Sequence, residues 1–437
     1  MKNEKQLRDE IIKLTSEYFS EFHVDKTFVP GEDYVRYSGR FFDKEEGKSL
    51  INAALDFWLT AGSYANELEK KLAKYLGLRN SMLTNSGSSA NLLAMSALTS
   101  DKLGTRKLDE GDEVITVAAG FPTTVNPIYQ NNLVPVYCDV ELGSYNIKMA
   151  DLEEAISNKT KAIFLAHTLG NPFDLDVIMK IANKHDLWVI EDNCDALGST
   201  WRGKLTGTFG ALSTQSFYPP HHITLGEGGA VNTDIPKLKT IVESFRDWGR
   251  DCWCESGKDN TCGKRFEWEL GELPKGYDHK YIYSHIGYNL KVTDLQAAVG
   301  VAQIDKLPKF TDARKGNHKF YMEAFKKYEE YFILPEKEEH ADPSWFGFII
   351  TLKKDAPFTR NQIVQHLEES KVATRMLFGG NLTKQPAYIG KKDRIVSDLI
   401  NTNYIMNNSF WIGVYPGITE EMRTYVVDVF DNFMKSY

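Results

Sequence analysis

The chain has 437 residues, 42 % of them apolar and 26 % charged, and a net charge of −8 at neutral pH. It is long enough for two or three domains and apolar enough for a core that needs no metal or disulfide to fold. The charge leaves no basic footprint for nucleic acid and argues against an anionic membrane surface.

Residues 1–60 read as a helical arm and lead-in. Residues 1–22 are charged throughout, with Ile11, Ile12, Leu14, Tyr18 and Phe19 close to helical spacing. This predicts an amphipathic helix and lacks the unbroken apolar core of a signal peptide. No apolar run of about 18 residues occurs anywhere, so no transmembrane helix is expected, and the expected location is the cytoplasm. From residue 61 onward helices and apolar strands alternate. Residues 65–76 have helical period, and 112–118, 133–140, 161–166 and 187–191 read as buried strands. That alternation predicts a mainly parallel sheet covered by helices. Residues 250–280 break the pattern, being rich in Gly, Asp, Lys and Cys with weak periodicity, as in a functional or disordered insertion. Beyond residue 310 a second α/β unit follows, with a strand-like 344–352 and a helix over 360–370. The expected division is an arm (1–60), a large domain with the insertion (61–310) and a small C-terminal domain (311–437).

The segment Thr84–Met95, TNSGSSANLLAM, places a Ser/Gly-rich turn before an apolar helix. Unpaired N–H groups at a helix start suit a phosphate. By itself the turn is equally an ordinary helix cap. Three further segments change its weight: GFPTT (120–124), IEDNCDALGS (190–199) and SFYPPHHITLGEGGA (216–230). With SGSSAN (86–91) and GYNLKVTDLQAAVGVAQ (287–303), they follow the order and spacing of the DegT/DnrJ/EryC1 sugar aminotransferases. These are vitamin-B6 enzymes of fold type I, the aspartate aminotransferase-like fold. The resemblance spans roughly residues 50–430. It implies that Gly87 and Ser88 form the phosphate turn and that Ser216 adds a second hydroxyl. It implies that Phe121 stacks on the pyridine ring and that Asp192 pairs with the ring nitrogen. A carboxylate there keeps the nitrogen protonated, and a pyridinium is the better electron sink. Asn289 resembles the asparagine that reaches the phosphate of a neighbouring subunit, which implies a homodimer.

One position departs from that pattern. The aminotransferases carry a lysine after the SF segment that holds the cofactor covalently and moves the proton. Here Ser216-Phe217-Tyr218-Pro219-Pro220 leads to His221 and His222. Histidine cannot hold the cofactor in that way, but it can act as a base near neutral pH. The block resembles the 3-dehydrases that act on CDP-4-dehydro-6-deoxyglucose in dideoxysugar and O-antigen lipopolysaccharide synthesis. That resemblance implies pyridoxamine 5′-phosphate held without a covalent link, His221 as the base, and supporting roles for Asp195 and Tyr218. His222 reads as structural.

The five cysteines are Cys138, Cys194, Cys252, Cys254 and Cys262, too few and too odd in number for a secreted disulfide framework. Cys138, in an apolar strand, reads as a core residue. The other four leave gaps of 57, 1 and 7 residues. Four thiolates suffice for a [2Fe–2S] cluster, a [4Fe–4S] cluster or a structural zinc. The spacing resembles the [2Fe–2S] pattern of the 3-dehydrases, which implies an NADH-dependent flavin and iron–sulfur reductase as partner. Arg246, Arg250, Lys280 and Arg375 are the cations available for a diphosphate. The rival readings are a nucleotide-sugar aminotransferase, a cluster-free dehydrating relative and a non-catalytic regulatory protein on the same fold.

Overall fold

A computed structural model describes residues 2–24, 26–254 and 258–437. Residues 255–257, inside the expected insertion, lie outside the described set. The central sheet has eight strands, in the order 80–84, 229–233, 212–216, 188–192, 160–166, 113–117, 134–138, 394–395. Strand 229–233 runs antiparallel to both its neighbours, and the remaining pairs are parallel.

Alternation of side chains along each strand feeds two cores. Val114, Phe164 and Ile190 pack under the helices Gly87–Leu98 and Pro236–Arg246. Ile115, Leu165 and Val189 pack on the opposite face with Ile178 and Ile181 of the helix Leu175–Lys184. A sheet buried on both faces carries near-continuous apolar strands, which is why EVITV (113–117) is buried at all five positions. Cys138 belongs to this core and is 0 % exposed.

A second, antiparallel sheet orders strands 332–333, 347–352, 409–413 and 374–375. Its core of Tyr321, Phe325, Phe348, Phe410 and Phe430 lies under the helices Leu307–Phe325 and Glu420–Met434. The N-terminal helix Glu4–Phe22 buries none of its residues and packs on the helix Lys44–Asp56. Leu7, Leu14, Tyr18 and Phe22 of that arm are exposed. Among the described residues no helix is long and apolar enough to cross a membrane.

Candidate active site

The C-terminal ends of the parallel strands converge on one cavity of about 590 Å³. Crevices beyond the carboxyl ends of such strands are where ligands bind in open α/β sheets. Strand 80–84 ends in the turn to helix Gly87–Leu98, whose N-cap Ser86 accepts a hydrogen bond from the Ser89 N–H at 3.0 Å. Strand 212–216 ends on Ser216. A Cβ on Gly87 would lie 2.4 Å from the Ser216 Cβ, and one on Gly229 2.4 Å from the Ser86 carbonyl. Only glycine lets the helix start press onto the strand ends. The free N–H groups, with Ser88 and Ser216, therefore form a cradle that fits a phosphate.

Asp192 closes strand 188–192 and is 6 % exposed. Its Oδ2 accepts from Asn91 Nδ2 at 2.9 Å and from Thr124 Oγ1 at 2.7 Å, and its Oδ1 accepts from the Cys194 N–H at 3.2 Å. Asn91 is fixed in turn by Thr214 Oγ1 at 2.6 Å. A carboxylate held this firmly is a fixed partner for a pyridinium. Phe121, half exposed in the cavity wall, meets Phe378 edge-on with ring centroids 6.0 Å apart. The donors, the aromatic and the aspartate together fit pyridoxamine phosphate.

His221 lines the same cavity. Its Nδ1 is buried, without a hydrogen bond, 3.5 Å from Asp195 Oδ1. Burial, with the Arg314 guanidinium adding to it, pushes the His221 pKa down to about 3. Burial, with the charge of Asp192 adding to it, pushes Asp195 up to about 8. At pH 7 the imidazole is neutral and able to accept a proton. Tyr218 lines the same cavity and is 50 % exposed. His222 is buried and bonds the Ser344 carbonyl at 2.5 Å. Among the described residues lining the cavity there is no lysine.

Gly87, Ser88, Phe121, Asp192, Asp195, Ser216, Tyr218 and His221 thus share one cavity, as does Cys194. Asn289 does not. It is exposed, pairs with Asp247 and stands outside that lining. Of the four cations offered for a diphosphate, only Arg375 lies at the cavity, its guanidinium 3.9 Å over the Tyr37 ring. Arg246 is tied to Glu69 and the Leu83 carbonyl, and Lys280 to Asp259. Arg246 and Arg250 line a separate cavity of about 550 Å³ with Lys291, Cys252 and Cys254.

Cys252, Cys254 and Cys262 come together around another small cavity. The Cys252 Sγ accepts from the Cys254 N–H at 3.5 Å. Although burial opposes it, hydrogen bonds from Thr261 and Cys262 bring the Cys254 thiol down to about 7. Cys194 stands apart from these three, beside Asp192 and Asp195, and burial pushes its thiol up. Among the described residues no three His, Cys, Asp or Glu side chains form a ready-made site for a metal ion. Among the described residues the four cysteines do not line one cavity.

Four residues of the site carry no assignment from sequence. Asn91 and Thr124 lie inside the quoted motifs SGSSAN and GFPTT, and their polar side chains amid buried neighbours were the available signal. Phe346 lines the cavity and approaches the His221 ring at 5.2 Å. Arg314, 1 % exposed in mid-helix, donates to the Trp345, Phe346, Pro220 and His221 carbonyls. It locks the His221 loop to the second sheet, and no local pattern announces it.

Comparison with known proteins agrees with this geometry. The model of the DegT/DnrJ/EryC1/StrS aminotransferase family matches residues 42–431. The chain is 53 % identical to the lipopolysaccharide biosynthesis protein RfbH of Salmonella typhimurium, over 98 % of each chain. It is 52 % identical to the dTDP-4-dehydro-2,6-dideoxy-D-glucose 3-dehydratase of Saccharopolyspora spinosa, over 98 % of this chain and 92 % of that one. The solved structure of the E. coli GDP-4-keto-6-deoxy-D-mannose-3-dehydratase with bound hydrated PLP superposes with a TM-score of 0.80 at 28 % identity. That match covers 91 % of this chain and 99 % of the other. The family match over residues 42–431 and these relatives establish that this chain belongs to the DegT/DnrJ/EryC1/StrS aminotransferase family.

Proposed function

We propose that this chain is a pyridoxamine-phosphate-dependent 3-dehydrase of CDP-4-dehydro-6-deoxy-D-glucose. It performs the first half of C3 deoxygenation in dideoxysugar and O-antigen synthesis. The observation that carries this reading is His221 in a cavity whose described lining holds no lysine. An amino transfer that returns to a covalent resting state has no group here on which to do so. The names of the relatives, nucleotide-sugar 3-dehydratases and a lipopolysaccharide biosynthesis protein, support the reaction class.

When bound, the cofactor supplies an amine for the sugar ketone and a ring that takes up the electrons left by proton removal. The chain's own groups do the rest. Gly87, Ser88 and Ser216 hold the phosphate, and Phe121 covers the ring. Asp192 keeps the ring nitrogen protonated. A cation beside Asp192 also cancels the negative charge that raises the Asp195 pKa. Asp195 then carries a carboxylate toward His221 Nδ1–H and sets the tautomer, leaving Nε2 as the base that moves the proton. Tyr218, at the rim, supports the departing C3 hydroxyl, and Arg375 meets the diphosphate at the mouth.

The working unit is a homodimer. Asn289, exposed and outside its own cavity, reaches the phosphate of the second copy, and the apolar face of the arm helix gains a cover. Loss of water is redox-neutral. The later reduction draws on a [2Fe–2S] cluster held by the set Cys194, Cys252, Cys254 and Cys262, fed by an NADH-dependent flavin and iron–sulfur reductase in the cytoplasm.

One observation favours a second reading of the substrate: the 52 % identical Saccharopolyspora protein is named for a dTDP-linked sugar. The test is incubation of the pyridoxamine-phosphate-loaded protein with the CDP- and dTDP-linked 4-keto sugars in 18O-labelled water. Reversible dehydration places label at C3, faster for the CDP sugar. Faster labelling of the dTDP sugar selects the second reading. Stoichiometric amine transfer to the ketone, without label at C3, would show an aminotransferase instead.

A further inference from the structure

The lead-in segment ahead of residue 42 supplies part of the cavity wall. Val35 is 3 % exposed and belongs to the core of the second sheet. Its N–H donates to the Lys371 carbonyl at 2.8 Å, and its own carbonyl accepts from the Ala373 N–H at 2.9 Å. These bonds form a parallel bridge between Val35 and Val372, just before strand 374–375. Two residues further on, Tyr37 lines the cofactor cavity.

Tyr37 is held on several sides. It packs on the core of the large sheet and meets Trp411 edge-on, with ring centroids 5.4 Å apart. A Cβ on Gly413 would lie 2.4 Å from the Tyr37 carbonyl, so glycine there lets the lead-in lie against strand 409–413. Trp411 is fixed in turn, its Nε1–H donating to the Met376 carbonyl at 3.0 Å.

The Arg375 guanidinium stands 3.9 Å over the centre of the Tyr37 ring, and its Nη1 donates to the Thr374 carbonyl at 2.7 Å. Arg375 is exposed. Among the described residues it forms no ion pair, and it is the only Lys or Arg in the cavity lining. A free arginine loses rotamer freedom when it grips an anion. One already held by a ring and a carbonyl has lost much of that freedom beforehand, which favours binding. Nε and Nη2 keep N–H groups for two oxygens of a phosphate, a fork that lysine lacks.

We propose that Tyr37 is a positioning residue for diphosphate recognition: its ring holds Arg375 in the pose that binds the phosphates of the nucleotide. This rests on the nucleotide-sugar reading and adds to it a residue that precedes the family match. Tyr37 acts through Arg375 and away from the reacting carbons. It therefore strengthens ground state and transition state alike, which lowers KM without raising kcat.

The test is calorimetric titration of the full-length protein with CDP, dTDP and cytidine, after loading with pyridoxamine phosphate so that the phosphate cradle is filled. Tyr37→Leu should weaken CDP and dTDP by about twofold to thirtyfold, the worth of a cation–π contact, and leave cytidine unchanged. Tyr37→Phe keeps the ring and should restore wild-type binding. Arg375→Gln should weaken both diphosphates by about tenfold to a hundredfold, the worth of a charge-assisted hydrogen bond, and adding Tyr37→Leu to it should cost nothing more. With the CDP-linked 4-keto sugar, Tyr37→Leu should raise KM by the same factor at unchanged kcat. Wild-type CDP affinity in Tyr37→Leu, a further loss in the double variant, or an equal loss for cytidine would overturn the positioning role while leaving the nucleotide-sugar reading standing. A wild type that binds neither CDP nor dTDP would overturn that reading itself, and the proposal with it.

Discussion

The cofactor cavity and the cysteine insertion are two polar sites of opposite construction. The cavity is framed by strand ends and a helix start, and its key acid is bound by three donors before any ligand arrives. Among the described residues the insertion has no regular element between residue 247 and the turn at 279, and none from 251 to 281 joins a hydrophobic core cluster. The first site is preorganised by the fold. The second depends on side chains clamping one another, and on what they bind.

That contrast orders the expected effects of perturbation. The largest loss belongs to Arg314→Met, which strips the donors from four carbonyls, two of them buried, joining the His221 loop to the second sheet. Each buried acceptor left unpaired costs about 1–3 kcal/mol. Denaturant unfolding should show a loss of about 3 kcal/mol or more, with cofactor binding weakened. A variant as stable as wild type would mean that the cavity is not locked from the C-terminal side.

Asp195→Asn should act next, and in a pH-dependent way. The folded protein holds the Asp195 proton up to about pH 8, whereas the unfolded chain releases it near the ordinary carboxyl value of 3.8. The wild type therefore has its full contribution below pH 4 and loses it as pH rises toward 8. The asparagine variant should match wild type at pH 4 and exceed it at pH 8, by on the order of 5 kcal/mol. Equal stability at both pH values would remove the perturbed acid from the account.

Gly87→Ala forces a Cβ to within 2.4 Å of the Ser216 Cβ, and overpacking of that kind costs about 1–3 kcal/mol. Calorimetric titration with pyridoxamine phosphate should lose affinity more than tenfold, while pyridoxamine without phosphate is little affected. Equal losses for both ligands would place the damage somewhere other than the phosphate cradle.

The smallest effect is expected from stripping the proposed metal. With no share in the core clusters, the insertion contributes little to the main unfolding transition. Chelation should move the midpoint by only about 1 °C, which corresponds to about 1 kcal/mol in a chain of this size. A fall much larger than that would join the insertion to the main cooperative unit.

The same contrast decides what could be read from sequence. Gly87, Asp192, Ser216 and His221 each lie within a few residues of a strand end or helix start. A short motif there carries a position in space, because the strand fixes where its end points. The alternating strands likewise revealed the parallel sheet, since burial on both faces leaves an apolar run. Arg314 acts on His221 from a distant helix, and nothing local distinguishes it from a solvated arginine. In the insertion, the spacing of cysteines marks the donors that share one residue type. It cannot say which of them meet, because no regular element fixes the path between them. The separation of Cys194 from the other three was invisible for the same reason.

The most direct test of the central claim is 18O exchange at C3 of the CDP-linked 4-keto sugar, compared between wild type and His221→Asn at equal pyridoxamine-phosphate occupancy. If His221 is the base, the variant should lose about 10²–10⁴-fold in exchange rate, the usual worth of a positioned general base, with cofactor and sugar binding retained. Exchange within a few-fold of wild type would contradict the account and place proton transfer on another group.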